Sequence, residues 1–231
     1  MYRDVEPQAE SGFDRLCPLY RDLPGDELAR LSAIARLRRV PEQQYLCRQD
    51  APHNRVFNLV TGSAAVERLS RSGRRQILAF VFPGDFIGLA DADRYGYGVK
   101  SLTATTFHEF PQYSLFELSE ELPGLKSNIR QLQSLVLALT FDQLYLLGQK
   151  KAQEKICTFL LQLLERLPGA RRERIDLPMT RLDIADYLGL TPETVIRALA
   201  RLRAAGILSM PSPQSVCVHD MDRVRSFGDV R

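Results

Sequence analysis

Leu28, Leu31, Ile34 and Leu37 recur at three-residue steps after Pro24-Gly25-Asp26, which predicts helix within the first forty residues. From Tyr45 to about Tyr113 the pattern changes. Short β-rich runs such as AAVERL and RQILAFVF alternate with turn dipeptides. Thr61-Gly62, Ser72-Gly73 and Pro83-Gly84 set their glycines eleven residues apart. Glycine takes the positive φ that tight turns demand, so this even spacing predicts a small antiparallel barrel or roll.

Helical periodicity returns between Asn128 and Gly148. Ile129, Val136 and Gln143 share one heptad position, and Leu132, Leu139 and Leu146 share another. Together they make an a/d seam that two copies of the helix would bury against each other, with Gln143 setting register at a cost in stability. Leu135, Leu137, Phe141, Leu144 and Leu147 widen the apolar surface, so packing within the helix's own domain is the alternative. The polar stretch Gln149–Lys155 reads as a hinge. A further amphipathic helix, Ala152–Leu167, stops at Pro168-Gly169, and a basic linker, Ala170–Arg174, follows.

The densest signal is TRLDIADYLGLTPETVIRALARLRAAGIL, beginning at Thr180. Thr180 with Asp183 forms a capping box with Asp in place of Glu, which starts one helix. Ile184, Ala185 and Leu188 form its inner face and Gly189 ends it. Thr191 is a good N-cap for a second helix, Pro192 suits the first helical position, Glu193 complements the positive end, and Gly206 ends the run. Two short helices joined in this way are a helix-turn-helix. Ala185 must be small where the second helix crosses, Gly189 must accept the turn conformation, and Val195 must fill the wedge.

The outward side of the second helix begins with Pro192, Glu193, Ile196 and Arg197. Glu193 and Arg197 are four residues apart and share one side, where major-groove readers meet base edges. Arginine donates twice to guanine, a carboxylate accepts from cytosine, and Ile196 offers an apolar surface to a thymine methyl. An ordinary surface Glu–Arg pair is the alternative. Thr180, Arg181, Thr191, Pro192, Thr194 and Arg201 are candidates for phosphate-backbone contact. Beyond Leu208 the segment MPSPQSVCVHD alternates around a proline-rich tip, as in the hairpin of a winged helix.

Composition adds constraints. A formal charge of +3 is too small to imply nucleic acid by basicity alone. The uncharged stretch Gln131–Phe141 is too short to span a bilayer, and the opening MYRDVEPQAESG lacks an apolar signal core, so a cytoplasmic location without membrane contact is expected. Cys17, Cys47, Cys157 and Cys217 show neither C-x-x-C nor zinc-type spacing. Cys17, in an irregular N-terminal segment, is the candidate redox thiol, whereas Cys157 sits on an apolar helix face. G-x-S-x-G, Walker and H-E-x-x-H patterns are absent from the sequence, so an enzyme is not expected.

The order roll, long helix, hinge and winged helix-turn-helix resembles the CRP/FNR family of bacterial transcription regulators. LPMTRLDIADYLGLTPETVIRALARLRAAGIL is most similar to the FNR/FixK branch, through the core E-T-[VI]-x-R. The resemblance implies an α+β chain: an N-terminal helical segment and cyclic-nucleotide-binding-like β-roll as sensory domain (1–125), a dimerisation helix (126–150) and a winged helix-turn-helix (151–231). It implies a homodimeric activator that engages RNA polymerase and binds double-stranded DNA at a palindrome with TTGA-like half-sites, Glu193 and Arg197 touching bases. The branch commonly has Ser where this chain has Ile196.

On the sensory side, Leu89 follows Gly88 where cyclic-AMP binders have Glu, and their Arg-Ser pair is missing before Val99, so cyclic AMP is not expected. Cys17 alone replaces the N-terminal cysteine trio, and HEFP at His108 stands where the roll cysteine would be, so a 4Fe–4S cluster is not expected either. His53, His108 and His219 leave haem as a minor alternative. The competing functional reading is a roll that binds haem, a redox signal or a small molecule while its helix-turn-helix has little DNA specificity.

Overall fold

Glycine turns lay out the N-terminal half. Gly62, Gly73 and Gly84 all take positive φ, at 84°, 79° and 92°. At Gly62 a Cβ would fall 2.5 Å from the Ala104 carbonyl oxygen, so the turn requires glycine twice over. The structure, a computed structural model, describes residues 3–4, 17–90, 92–167 and 174–228. It divides into two units, residues 1–74 with 78–139, and residues 75–77 with 140–231.

In the first unit a 3-10 turn (Pro18–Tyr20) and α1 (Gly25–Ile34) precede the roll. Its strands are β1 (Arg3–Asp4), β2 (Arg36–Val40), β3 (Tyr45–Cys47), β4 (Arg55–Thr61), β5 (Ala64–Leu69), β6 (Arg75–Val81), β7 (Phe86–Ile87), β8 (Gly98–Ser101) and β9 (Thr105–Pro111). They form two antiparallel sheets, ordered β1-β2-β9-β4-β7 and β3-β8-β5-β6. Leu37, expected on a helix, lies in β2 opposite His108 of β9. Its spacing from Ile34 is compatible with helix, but α1 ends at Ile34 and the chain is extended at Ala35.

Strands β4 and β9 are buried on both faces and separate two cores. Phe57, Leu59 and Phe107 face the roll interior with Val66, Val81, Tyr95 and Val99. Val56 and Phe110, one pleat out of phase, face Leu19, Tyr20, Leu31 and the helices α2 (Gln112–Glu121) and α3 (Pro123–Gln149). Asn128 of α3 donates to the carbonyls of Leu19 and Arg21 at 3.0 and 2.9 Å, tying the 3-10 turn to the helix.

Ile129 and Leu132 lie in this second core. Their expected place in an intermolecular seam is therefore corrected: a heptad stripe marks an apolar face but does not say which surface covers it.

Cys17 is also corrected. It is buried, donates to the Gly84 carbonyl at 3.4 Å and receives Asn58 Nδ2 at 3.5 Å. Asn58 in turn accepts from the Tyr20 hydroxyl at 2.8 Å. Burial pushes the Cys17 thiol up to about 11, so it stays protonated and weakly nucleophilic.

The second unit takes in the last turns of α3, from residue 140 onward. The expected hinge narrows to Lys150 and Lys151, because α4 (Ala152–Arg166) starts at once, with Glu154 accepting the Lys151 amide at 2.8 Å. Ile156, Cys157, Phe159, Leu160 and Leu163 are its buried face. Then follow β10 (Arg174–Asp176), α5 (Arg181–Leu188), α6 (Pro192–Ala204), β11 (Leu208–Ser212), β12 (Ser215–Val218) and α7 (Met221–Gly228). The small sheet has the order β10-β12-β11. The expected stop at Pro168-Gly169 and the linker from Ala170 to residue 173 lie outside the described residues.

Three of the four thiols are buried and Cys217 is half-exposed. Alkylation of the native protein with a maleimide, read by peptide mass, is expected to label Cys217 first and to reach Cys17, Cys47 and Cys157 only when denaturant is added.

Candidate nucleic-acid interface

Helix α5 begins with the expected reciprocal cap. The Thr180 hydroxyl accepts the Asp183 amide at 3.1 Å, and Asp183 Oδ2 accepts the Thr180 amide at 2.9 Å and hydroxyl at 2.6 Å. Burial alone would push the Asp183 carboxyl up. The donors around it outweigh burial and hold it below its ordinary value, so the cap stays ionised. Both polar groups of Thr180 named for phosphate contact are thus engaged within the cap.

The helix ends at Leu188, and Gly189 turns the chain with φ 62° and ψ 42°. Its amide and that of Leu190 both return to the Ala185 carbonyl. A Cβ at Gly189 would lie 3.3 Å from Leu147 Cδ2.

Thr191 then caps α6, its hydroxyl accepting the Thr194 amide at 3.3 Å, and Pro192 opens the helix. Val195, Ala198, Leu199 and Leu202 are buried, as is Ala185 beneath the crossing. The three positions singled out as mechanically necessary therefore behave as the motif demands.

The other side of α6 is open. Glu193, Ile196, Arg197, Ala200 and Arg201 are exposed, and Ile196 retains 55% of its surface. Isolated exposed apolar side chains are common. This one lies between a carboxylate and a guanidinium on the first turns of a helix whose inner face is already filled. The Glu193 carboxyl is held below its ordinary value by its own first-turn amide and then by the Thr191 hydroxyl, which keeps it an acceptor. Arg197 Nη2 reaches Thr194 Oγ1 at 3.3 Å, so its guanidinium is carried at the helix surface.

The wing follows directly. β11 and β12 pair around Pro213 and Gln214, with Ser212 opposite Ser215. Arg181 donates to the Pro213 carbonyl at 2.8 Å, which ties the first turn of α5 to the wing tip. Burial lowers the pKa of its guanidinium, and the side chain is only half-exposed. Arg181 thus has an architectural task besides any contact with phosphate.

The remaining seam residues separate. Val136 and Leu139 are exposed, at 49% and 42%. Leu146 is buried by the chain itself, correcting its expected place between protomers. Gln143 is half-buried and donates to the Tyr187 carbonyl at 3.0 Å, so it serves its own chain. The middle of α3 exposes Leu135, Leu137, Phe141, Leu144 and Tyr145 as well. Lys155, buried on the apolar face of α4 and donating to the Leu188 carbonyl at 3.0 Å, was missed entirely. Its signal was a lysine one turn before Phe159 in an otherwise apolar stripe.

Two family profiles match the chain: the Crp-like helix-turn-helix domain over residues 154–227 and the cyclic nucleotide-binding domain over residues 37–121. The transcriptional activatory protein AadR of Rhodopseudomonas palustris is 35% identical over 78% of this chain and 76% of its own. The transcriptional activator protein Anr of Pseudomonas aeruginosa is 32% identical over 94% and 91% respectively. Among solved structures, FixK2 of Bradyrhizobium japonicum superposes with a TM-score of 0.79 at 31% identity, covering 84% of this chain and 97% of that one.

The turn supplies a direct test. An L side chain in the left-handed region costs roughly 1–2 kcal/mol, and a β-branched one also meets Leu147. Gly189→Val is expected to destabilise the C-terminal unit by at least that much, with Gly189→Asn losing less, read as a fall in the midpoint of thermal denaturation.

Proposed function

The chain belongs to the CRP/FNR family of DNA-binding transcription regulators, in its FNR/FixK-like branch, and from that membership we propose that it activates transcription as a homodimer on a palindromic site. The observation that carries this reading is the outer face of α6. Its inner face is consumed by packing, while Glu193, Ile196 and Arg197 stand clear on its first turns. Arg197 donates to O6 and N7 of guanine, Glu193 accepts from N4 of cytosine, and Ile196 covers a thymine methyl. Thr191, Pro192, Thr194 and Arg201 lie along the phosphates, and Arg181 steadies the wing. TTGA-like half-sites follow from likeness to the branch, and their centres would lie about 34 Å apart, one turn of the duplex.

The exposed middle of α3 supports the dimer. Leu137, Phe141, Leu144 and Tyr145 recur at helical spacing on one face, an apolar surface that water does not favour on an isolated chain, while Val136 and Leu139 are exposed on the other side of the helix. The relatives are named as transcriptional activators, and an activator acting in that way would have RNA polymerase as its partner. No helix among the described residues is long and apolar enough to cross a membrane.

The effector is a different matter from the fold. Residues at the roll's loop do not fit a cyclic phosphate: Leu89 is buried in the core, and the Arg94 guanidinium is exposed and donates to the Asp50 carbonyl at 2.6 Å. His53 is set between the Ala92 and Gly88 carbonyls at 3.1 and 3.0 Å, leaving neither ring nitrogen directed at a haem iron. His108 is buried and its pKa is lowered to about 4 by that burial, and His219 reaches Ser209 at 2.8 Å. Cys17, packed behind Asn58, does not fit an iron–sulfur ligand. We therefore assign the roll neither cyclic AMP, haem nor a cluster.

Arg197→Ala is expected to weaken binding to the operator by roughly 1–3 kcal/mol and to relax the preference at one base pair, measured by fluorescence anisotropy against scrambled DNA. An unchanged site preference would favour the alternative, a roll module with little DNA specificity. Phe141→Glu is expected to shift sedimentation equilibrium from two chains to one and to weaken operator binding.

A further inference from the structure

The last four carbonyls of any α-helix have no partner inside it, and α5 spans only eight residues, so its carboxyl end depends on outside donors. The Ala185 carbonyl receives the amides of Gly189 and Leu190. Of the next carbonyls toward the turn, Asp186 O accepts from Gln76 Nε2, which also reaches Tyr187 O at 3.4 Å, and side chains from two other helices complete the set. Gln143 Nε2, near the end of α3, donates to Tyr187 O at 3.0 Å. Lys155 Nζ, from the first turn of α4, donates to Leu188 O at 3.0 Å. Leu147, one turn beyond Gln143, closes against Gly189.

Lys155 is costly where it stands. Only 7% of its surface is exposed, and burial lowers its pKa. What compensates is its position: an ammonium group at the negative end of a helix, directed at an orphan carbonyl. A methionine or leucine would fill the same space without that penalty, so the ammonium group serves something other than bulk packing.

The turn it holds is short. Leu188 is followed by Gly189, Leu190 and the cap Thr191, and α6 begins at Pro192. Arg197 lies five residues along α6, about 7.5 Å from its start. A tilt of roughly 10° at the turn would carry its side chain by more than 1 Å, enough to spoil a bidentate contact.

We propose that Gln143 and Lys155 form a two-point clasp on the carboxyl end of α5, and that this clasp sets the angle at which α6 meets the major groove. They are positioning residues: neither touches DNA, yet the readout by Glu193 and Arg197 depends on them. The inference rests on the DNA-reading assignment above and extends it to residues outside the motif.

The experiment measures full-length Lys155→Met, Lys155→Arg, Gln143→Met and the double methionine variant, with Arg197→Ala alongside. Each is titrated with a labelled operator and a scrambled duplex of equal length, and thermal midpoints are recorded. Lys155→Met and Gln143→Met are each expected to lose roughly three- to thirtyfold in operator affinity, with scrambled-duplex binding unchanged. The thermal midpoint of Lys155→Met should change little, because relief of a buried charge offsets loss of the donor to Leu188 O. Lys155→Arg should recover most of the loss, and the double variant should lose less than the product of the single losses.

Operator affinity at the wild-type level in both single variants, or equal losses on both duplexes, would overturn the clasp. If Lys155→Met does not fold, Gln143→Met decides by the same criterion. If Arg197→Ala also leaves operator binding intact, the assignment of α6 as reader falls and the clasp falls with it.

Discussion

Three residues of backbone, Gly189 to Thr191, carry the geometric burden of the C-terminal unit. A chain leaving one helix and entering another must satisfy the carbonyls of the first and the amides of the second within that span. Here the amides of the left-handed Gly189 and of Leu190 return to Ala185, and the Thr191 hydroxyl receives the Thr194 amide of α6. With both ends satisfied, α6 is free to bury Val195, Leu199 and Leu202 and to leave its other side in water. The exposed surface of this unit is therefore a consequence of where its backbone polar groups are spent.

The same economy appears in the roll. Strands β4 and β9 present apolar side chains on both faces, so each supports two cores. One core closes the roll, and the other seats the 3-10 turn, α1, α2 and the first part of α3. The polar groups caught between them pair with one another: Tyr20 with Asn58, Asn58 with Asp85 and Cys17, and Asn128 with the turn. This places the thiol of Cys17 in a structural network and withdraws it from solvent. The loop after Gly88 is likewise held by its carbonyls, through His53, Gln112 and Gln133. An effector acting on this roll would have to compete with those hydrogen bonds, a different problem from filling a prepared phosphate site.

Helix α3 shows why an apolar repeat is a weaker guide than a capped turn. Along its 27 residues the covering surface changes. Ile129 and Leu132 meet the core of the first unit, Leu146 is buried, and the middle is bare. A single seam from Ile129 to Leu146 joins residues with different tasks. The dimer surface assigned to the helix is accordingly shorter and rotated toward Leu137, Phe141 and Leu144.

Local chemistry alone determined the capping box at Thr180, the left-handed Gly189, the Thr191-Pro192 start and the three roll turns, because each is a backbone requirement met by residues adjacent in sequence. It also marked Glu193, Ile196 and Arg197 as the outward side of α6, since helical spacing divides the inner face from the outer. What tertiary structure decided was every question of partnership: that Leu37 belongs to a strand, that Cys17 is buried, that Arg181 holds the wing, and that Gln143 and Lys155 reach the end of α5. The partner in these cases lies 32 to 71 residues away in the next structural layer, and no local propensity encodes which group will be waiting there.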